Sequence, residues 1–170
     1  MKLTGKIVII VSTFNQKVTE KLLDGAKWKL YNAGLAEQDW EVIRVPGAFE
    51  LPLAAQWATD REDCVGVVSL GCVIRGETPH FDFVCAESAR GILEVSLGSS
   101  KPVIFGVLTT DTEQQAVSRA ASVEVLEAKS RLAQAEPDLD AVKDAVDNKG
   151  TEAAQALLDM LQLKSVLRKQ

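Results

Sequence analysis

Four short apolar runs, separated by segments of helical period, constrain this chain more than any other feature. They are Ile7-Val8-Ile9-Ile10-Val11, Trp40-Glu41-Val42-Ile43-Arg44-Val45, Cys64 to Leu70 and Pro102 to Leu108. Each has the length and the β-branched content of a strand. Between the first two, Val18 to Ala33 puts Leu22, Leu23, Ala26 and Leu30 on one helical face, and Gly34 stops the pattern. Phe49 to Thr59 and the segment from His80 to Leu97 read as further helices, and Thr112 opens another. Strands that are apolar almost throughout cannot leave a face in water. The alternation therefore predicts an α/β fold, a four-stranded and mainly parallel sheet with helices on both faces. The second run alternates with charged residues, which puts it nearer an edge. A length of 170 residues suits a single domain spanning 1–170.

Charge and cysteine usage remove several function classes. A net charge of −5 argues against general nucleic-acid binding, which needs a basic face. No apolar run approaches membrane-spanning length, and the start of the chain does not read as a signal peptide. Cys64, Cys72 and Cys85 lack CxxC spacing and sit in apolar company. They read as buried thiols of a cytoplasmic protein, with no metal site.

In open parallel sheets, ligands bind beyond the carboxyl ends of the strands. Those positions hold Ser12-Thr13-Phe14-Asn15, Pro46-Gly47-Ala48-Phe49-Glu50, Gly71-Cys72-Val73-Ile74-Arg75-Gly76-Glu77-Thr78-Pro79-His80, and Thr109-Thr110-Asp111-Thr112. All five phenylalanines, Phe14, Phe49, Phe81, Phe83 and Phe105, lie in or beside these junctions. They point either to a flat apolar ligand or to rings that close the top of the core. The third junction reads as strand, loop and helix. Thr78 is placed to cap the helix, Pro79 suits its first position, and His80, the only histidine, falls in its first turn. Free N–H groups at such a start can bind phosphate, with a proton acceptor a few ångströms away. There is no GxxxxGK[ST], GxGxxG or nucleophile-elbow motif. A serine or cysteine nucleophile paired with His80 stays open at this point.

Phe14-Asn15, Val45 to Pro52, Gly71 to Phe83, Phe105 to Thr112, Arg119 and Asn148-Lys149-Gly150 together resemble the lumazine synthase family. The match runs in order along nearly the whole chain, and its RGxTPHFDFV and VPGAFE segments are specific in combination. The resemblance implies a three-layer, flavodoxin-like α/β fold. It implies condensation of 5-amino-6-(D-ribitylamino)uracil with 3,4-dihydroxy-2-butanone 4-phosphate to give 6,7-dimethyl-8-ribityllumazine, phosphate and water. This is the penultimate step of riboflavin synthesis, and it needs neither metal nor organic cofactor. A non-catalytic flavin- or lumazine-binding or scaffold protein of the same fold is the alternative.

Carried over by position, Phe14 is expected to stack on the pyrimidine. Ala48, Phe49 and Glu50 are expected to hold ring and ribityl chain, and Cys72, Val73 and Ile74 to read the ring through their backbone. Phe105 is expected as a further wall. Glu77 and Thr78 resemble the phosphate-contacting pair, Glu77 through its backbone with its side chain turned away. Arg119 resembles the phosphate clamp and His80 the acid–base group, while Asn15 and Lys149 are further candidates. The resemblance also implies a homo-oligomer with active sites between subunits, and names riboflavin synthase as a candidate partner.

One departure stands out. Arg119-Ala120 and Asn148-Lys149-Gly150 are separated by residues 121–147, an insertion of roughly twenty residues over an ordinary connection. Val123, Val125, Leu126, Ala128, Leu132 and Ala133 predict a helix prolonged past Arg119. Pro137-Asp138 predicts a turn, and Leu139, Val142 and Val146 a short return helix before a last helix from Thr151 to about Leu167. In the family, this region lies near contacts between pentamers. The expectation is therefore an isolated pentamer instead of a sixty-subunit shell.

Overall fold

Four parallel strands in the order β2-β1-β3-β4 form the centre of the molecule. The computed structural model describes residues 3–135 and 147–167. The strands are β1 (Lys6–Ser12), β2 (Trp40–Val45), β3 (Cys64–Ile74) and β4 (Val103–Thr110). The helices are α1 (Gln16–Asn32), α2 (Leu51–Thr59), α3 (His80–Ser99), α4 (Glu113–Ser118), α5 (Val123–Ala135) and α6 (Lys149–Leu167).

The side chains of each strand alternate between two separate cores. Ile7, Ile9 and Val11 of β1 meet Leu22, Leu23, Ala26 and Leu30 of α1 and Ala153, Ala154 and Leu157 of α6. Val8 and Ile10 point the other way, onto Leu51, Ala54, Ala55 and Ala58 of α2 and Ile92 and Val95 of α3. Both faces of β1 are sealed from water, which is why it carries no polar alternation. Each fully buried Leu or Ile contributes roughly 1.5–3 kcal/mol by leaving water. The charged, alternating β2 is an edge strand, as its pattern requires.

Two boundaries differ from the sequence reading. β3 continues four residues past Leu70, through Gly71-Cys72-Val73-Ile74, in register with Val107 to Thr110. Gly71 is not a turn glycine. A Cβ there would come within 3.2 Å of Leu51 and 3.3 Å of Val107, so its role is close packing in a strand interior. The helix after Thr112 is not prolonged into the insertion. α4 ends at Ser118, Ala120 pairs with Asn148 in an isolated antiparallel bridge, and α5 starts afresh at Val123. The expected turn at Pro137-Asp138 and the return helix lie outside the described residues. The last helix begins at Lys149, two residues before the expected Thr151. Among the described residues, no helix is long and apolar enough to cross a membrane.

The chain runs from β1 outward to β2, then crosses back to β3 on the other side of β1. The connections leaving β1 and β3 therefore diverge to opposite faces, α1 to one and α3 to the other. A crevice opens between them at this switch point, beyond the carboxyl ends of the strands.

Candidate active site

A cavity of about 450 Å³ fills that crevice. Phe14 reaches it from the end of β1, Ala48, Phe49 and Glu50 from the end of β2, and Cys72, Val73 and Ile74 from the end of β3. Thr78 and His80 complete it from the β3–α3 junction. Nine residues singled out in the sequence are thus brought to one place by three different strand ends.

Backbone bonding aims the first wall. Thr13 and Phe14 donate their N–H groups to the carbonyls of Val45 and Pro46, at 2.8 and 3.0 Å. Asn15 takes the left-handed conformation (φ 59°), which asparagine tolerates, and its Nδ2 donates to the Cys72 carbonyl at 2.9 Å. Asn15 therefore acts as a tie between β1 and β3, and Phe14 projects from that tie with 70 % of its surface exposed. The other rings at this end are not core plugs either, for Phe49 is 58 % and Phe83 67 % exposed. Exposed aromatics around a crevice suit a planar ligand better than a closed core.

The third junction corrects one expectation. Thr78 does not cap α3: Pro79 occupies the cap position with no side-chain bond, and His80 is the first helical residue. Thr78 is left free to face the cavity. Glu77 is exposed and outside the lining.

The cysteines do not form a nucleophilic centre. Burial pushes the Cys72 thiol up to about 11, so it is protonated at neutral pH. Burial also raises Cys64 and Cys85, although Cys85 is only half-buried and not the fully buried thiol expected.

Besides Asn15 and Glu77, three expected residues are outside this cavity. Arg119, just beyond α4, is exposed and donates from Nη1 to the Gln115 carbonyl at 2.9 Å. Phe105, on β4, and Lys149, at the start of α6, line a separate shallow cavity of about 260 Å³ on the outer side of the sheet. There the Lys149 ammonium lies 2.6 Å from Asp147 and 2.7 Å from Glu152. These three share the β4 edge of the molecule, away from Phe14 and His80.

Four lining residues escaped the sequence reading as site members: Gly47, Gly76, Phe81 and Val84. The helical spacing of His80, Phe81 and Val84 puts them along one side of α3, a signal available once the helix start was known. A larger cavity, about 780 Å³, opens at the opposite end of the sheet between Leu3, Cys64, Lys101 and Leu161. Among the described residues, its lining holds no aromatic ring and no histidine.

Comparison with known proteins agrees with the fold. Residues 4–165 match the family model described as 6,7-dimethyl-8-ribityllumazine synthase. A 6,7-dimethyl-8-ribityllumazine synthase of Desulfosudis oleivorans is 50% identical over 112 residues, 66% of this chain and 71% of that protein. Another, of Desulfatibacillum aliphaticivorans, is 51% identical over 112 residues, 66% of this chain and 72% of that protein.

Proposed function

The chain belongs to the 6,7-dimethyl-8-ribityllumazine synthase family, and from the geometry of its cavity we propose which residues carry the reaction. The enzyme condenses 5-amino-6-(D-ribitylamino)uracil with 3,4-dihydroxy-2-butanone 4-phosphate in riboflavin biosynthesis. The observation that carries the assignment of roles is the convergence of Phe14, the carboxyl end of β3, Thr78 and His80 on one crevice.

Phe14 stacks on the pyrimidine. The backbone of Cys72, Val73 and Ile74 reads the polar atoms of the ring. Ala48, Phe49 and Glu50 hold ring and ribityl chain, with the Glu50 carboxylate accepting from hydroxyls. The phosphate sits at Thr78 and the start of α3, whose unpaired N–H groups point out of the helix. The pyrimidine amine attacks the ketone and, with loss of water, forms an imine. His80 takes a proton from the adjacent carbon as phosphate leaves, and later returns protons as an acid. The resulting enol rearranges to a ketone, and the second amine closes the ring on it with loss of a second water. Much of the acceleration comes from holding two reactive partners together. Three free cysteines suit a reducing cytoplasm.

The site is completed by a neighbouring subunit. Phe105 and Arg119 lie at the β4 edge, outside the cavity of their own chain. The opposite side of the sheet presents Leu53, Trp57, Leu93 and Leu97, all more than half exposed. Two different faces with apolar content suit a head-to-tail contact, which closes into a ring. In that ring, one chain's Arg119 guanidinium clamps the phosphate held by the next. Lys149 approaches with it, its charge shared with Asp147 and Glu152.

Complementation tests this arrangement. Phe14→Ala and Arg119→Ala enzymes, each nearly inactive alone, regain activity when their subunits are mixed and reassembled, because some interfaces then carry neither change. Mixtures no more active than the separate variants would place each site within one chain. The ring proposed is a pentamer, and the excursion between Ala121 and Asp147 stands in the way of shell packing. Sedimentation is expected to show five subunits, and a sixty-subunit particle would refute that.

A further inference from the structure

Arg75 lies just outside the cavity and belongs to none of the roles above. It is the first residue beyond β3, and its N–H donates to the Thr110 carbonyl at 2.9 Å, adding one rung to the β3–β4 ladder. Its guanidinium then meets three partners. Nε is 2.8 Å from an Asp111 oxygen, just past β4, and Nη1 is 3.1 Å from an Asp82 oxygen, in the first turn of α3. The guanidinium carbon lies 4.1 Å from the centre of the Phe81 ring. Phe81 itself lines the cavity.

We propose that Arg75 is a positioning residue, which braces the loop of residues 76–79 into the shape that receives the phosphate of the substrate. The brace runs from one end of the loop to the other, because residue 75 precedes it and Asp82 follows it. The loop has little else to hold it. Among the described residues, neither Glu77 nor Thr78 makes a side-chain hydrogen bond. A planar fork shared between two carboxylates and laid on a ring has one orientation, which a lysine cannot reproduce. The links are exposed, with side-chain accessibilities of 42%, 60% and 66% for Arg75, Asp82 and Asp111. Exposed ion pairs contribute little to folding, so the effect of the brace falls on loop geometry and not on stability. This inference rests on the phosphate site proposed above.

Two kinds of action by Arg75 make opposite forecasts at Asp82. If Arg75 only supplied positive charge, removing the Asp82 carboxylate would tighten binding of a dianion. If Arg75 braces the loop, removing Asp82 cuts the strut and weakens binding. The test is steady-state lumazine formation by the assembled enzyme, with inorganic phosphate as inhibitor. In the unaltered enzyme, phosphate competes with the butanone phosphate, and Arg119→Ala weakens that inhibition.

Arg75→Ala, Arg75→Lys and Asp82→Asn are each expected to raise the phosphate Ki and the KM for the butanone phosphate by about tenfold or less, as a misplaced cradle does. The KM for the pyrimidine and the melting temperature stay unchanged. Asp82→Asn lowering the Ki, or Arg75→Ala raising both KM values alike, would overturn the brace while leaving the phosphate site in place. Phosphate failing to compete in the unaltered enzyme, or Arg119→Ala leaving its inhibition intact, would overturn the phosphate site and the brace together. Should Arg75→Ala not fold, Asp82→Asn and Asp111→Asn carry the same comparison.

Discussion

Replacing His80 with alanine is expected to lower kcat about a hundredfold, the low end of what a positioned acid–base group contributes. The low end applies because the two substrates react without help, and the cavity still holds them side by side in the variant. Turnover therefore stays above the spontaneous reaction, which a fluorescence assay for the lumazine resolves against a blank without enzyme. KM values change little, since His80 is asked to act in the transition state and not in substrate binding. His80 is exposed at the first position of α3, so the loss cannot come from a damaged core. An unchanged kcat, with phosphate inhibition intact, would remove His80 from the mechanism.

Gly150→Ala is expected to cost more stability than any other glycine-to-alanine change in a helix of this chain. An added Cβ would lie 1.9 Å from the Leu22 carbonyl oxygen and 2.7 Å from its carbon. Both are backbone atoms of α1, so no rotamer change relieves the overlap. The two helices must move apart, opening the packing of Leu22 against Ala153, Ala154 and Leu157. A loss of at least about 3 kcal/mol follows from overpacking plus disrupted burial. For a domain of this size it appears as a fall of roughly 10 °C in Tm. Gly98→Ala, near the end of α3, is the control. Nothing lies within 4 Å of its added Cβ, and alanine is the better helix former, so stability should rise by up to about 1 kcal/mol. Both variants are compared at one protein concentration, since assembly adds to apparent stability. Equal midpoints for the two variants would show that the α1–α6 crossing yields without cost.

The parallel sheet was legible because burial on both faces writes itself into the sequence as unbroken β-branched runs. Ile7 to Val11 could be nothing else, and Trp40 to Val45 announced its edge position by its charges. What the sequence obscured depends on contacts between distant segments. Gly71 looks like the end of a strand, yet it lies inside β3, where an added Cβ would press on the Leu51 and Val107 side chains at 3.2 and 3.3 Å. Ala120-Ala121 favours a continuing helix, but pairing with Asn148 breaks it, a partner more than twenty-five residues away. That Phe14, Phe49 and His80 line one cavity could be read from the strand-end rule together with the family motifs. Their separation from Phe105 and Arg119 could not, because it is a property of which edge of the sheet each residue occupies.

The bridge at Ala120 also makes a doorway. The chain leaves at Ala121 and returns at Asp147, whose carbonyl accepts from the Ala121 N–H at 3.0 Å. The Lys149 N–H donates to the Arg119 carbonyl at 2.9 Å, and fully buried Asn148 donates to the carbonyls of Lys21 and Ala121 at 2.8 and 2.7 Å. The frame of the doorway is therefore fastened to α1 through Asn148. A segment of another length or kind spliced between its posts would leave the Arg119 carbonyl and the Asn148 side chain with the partners that hold them.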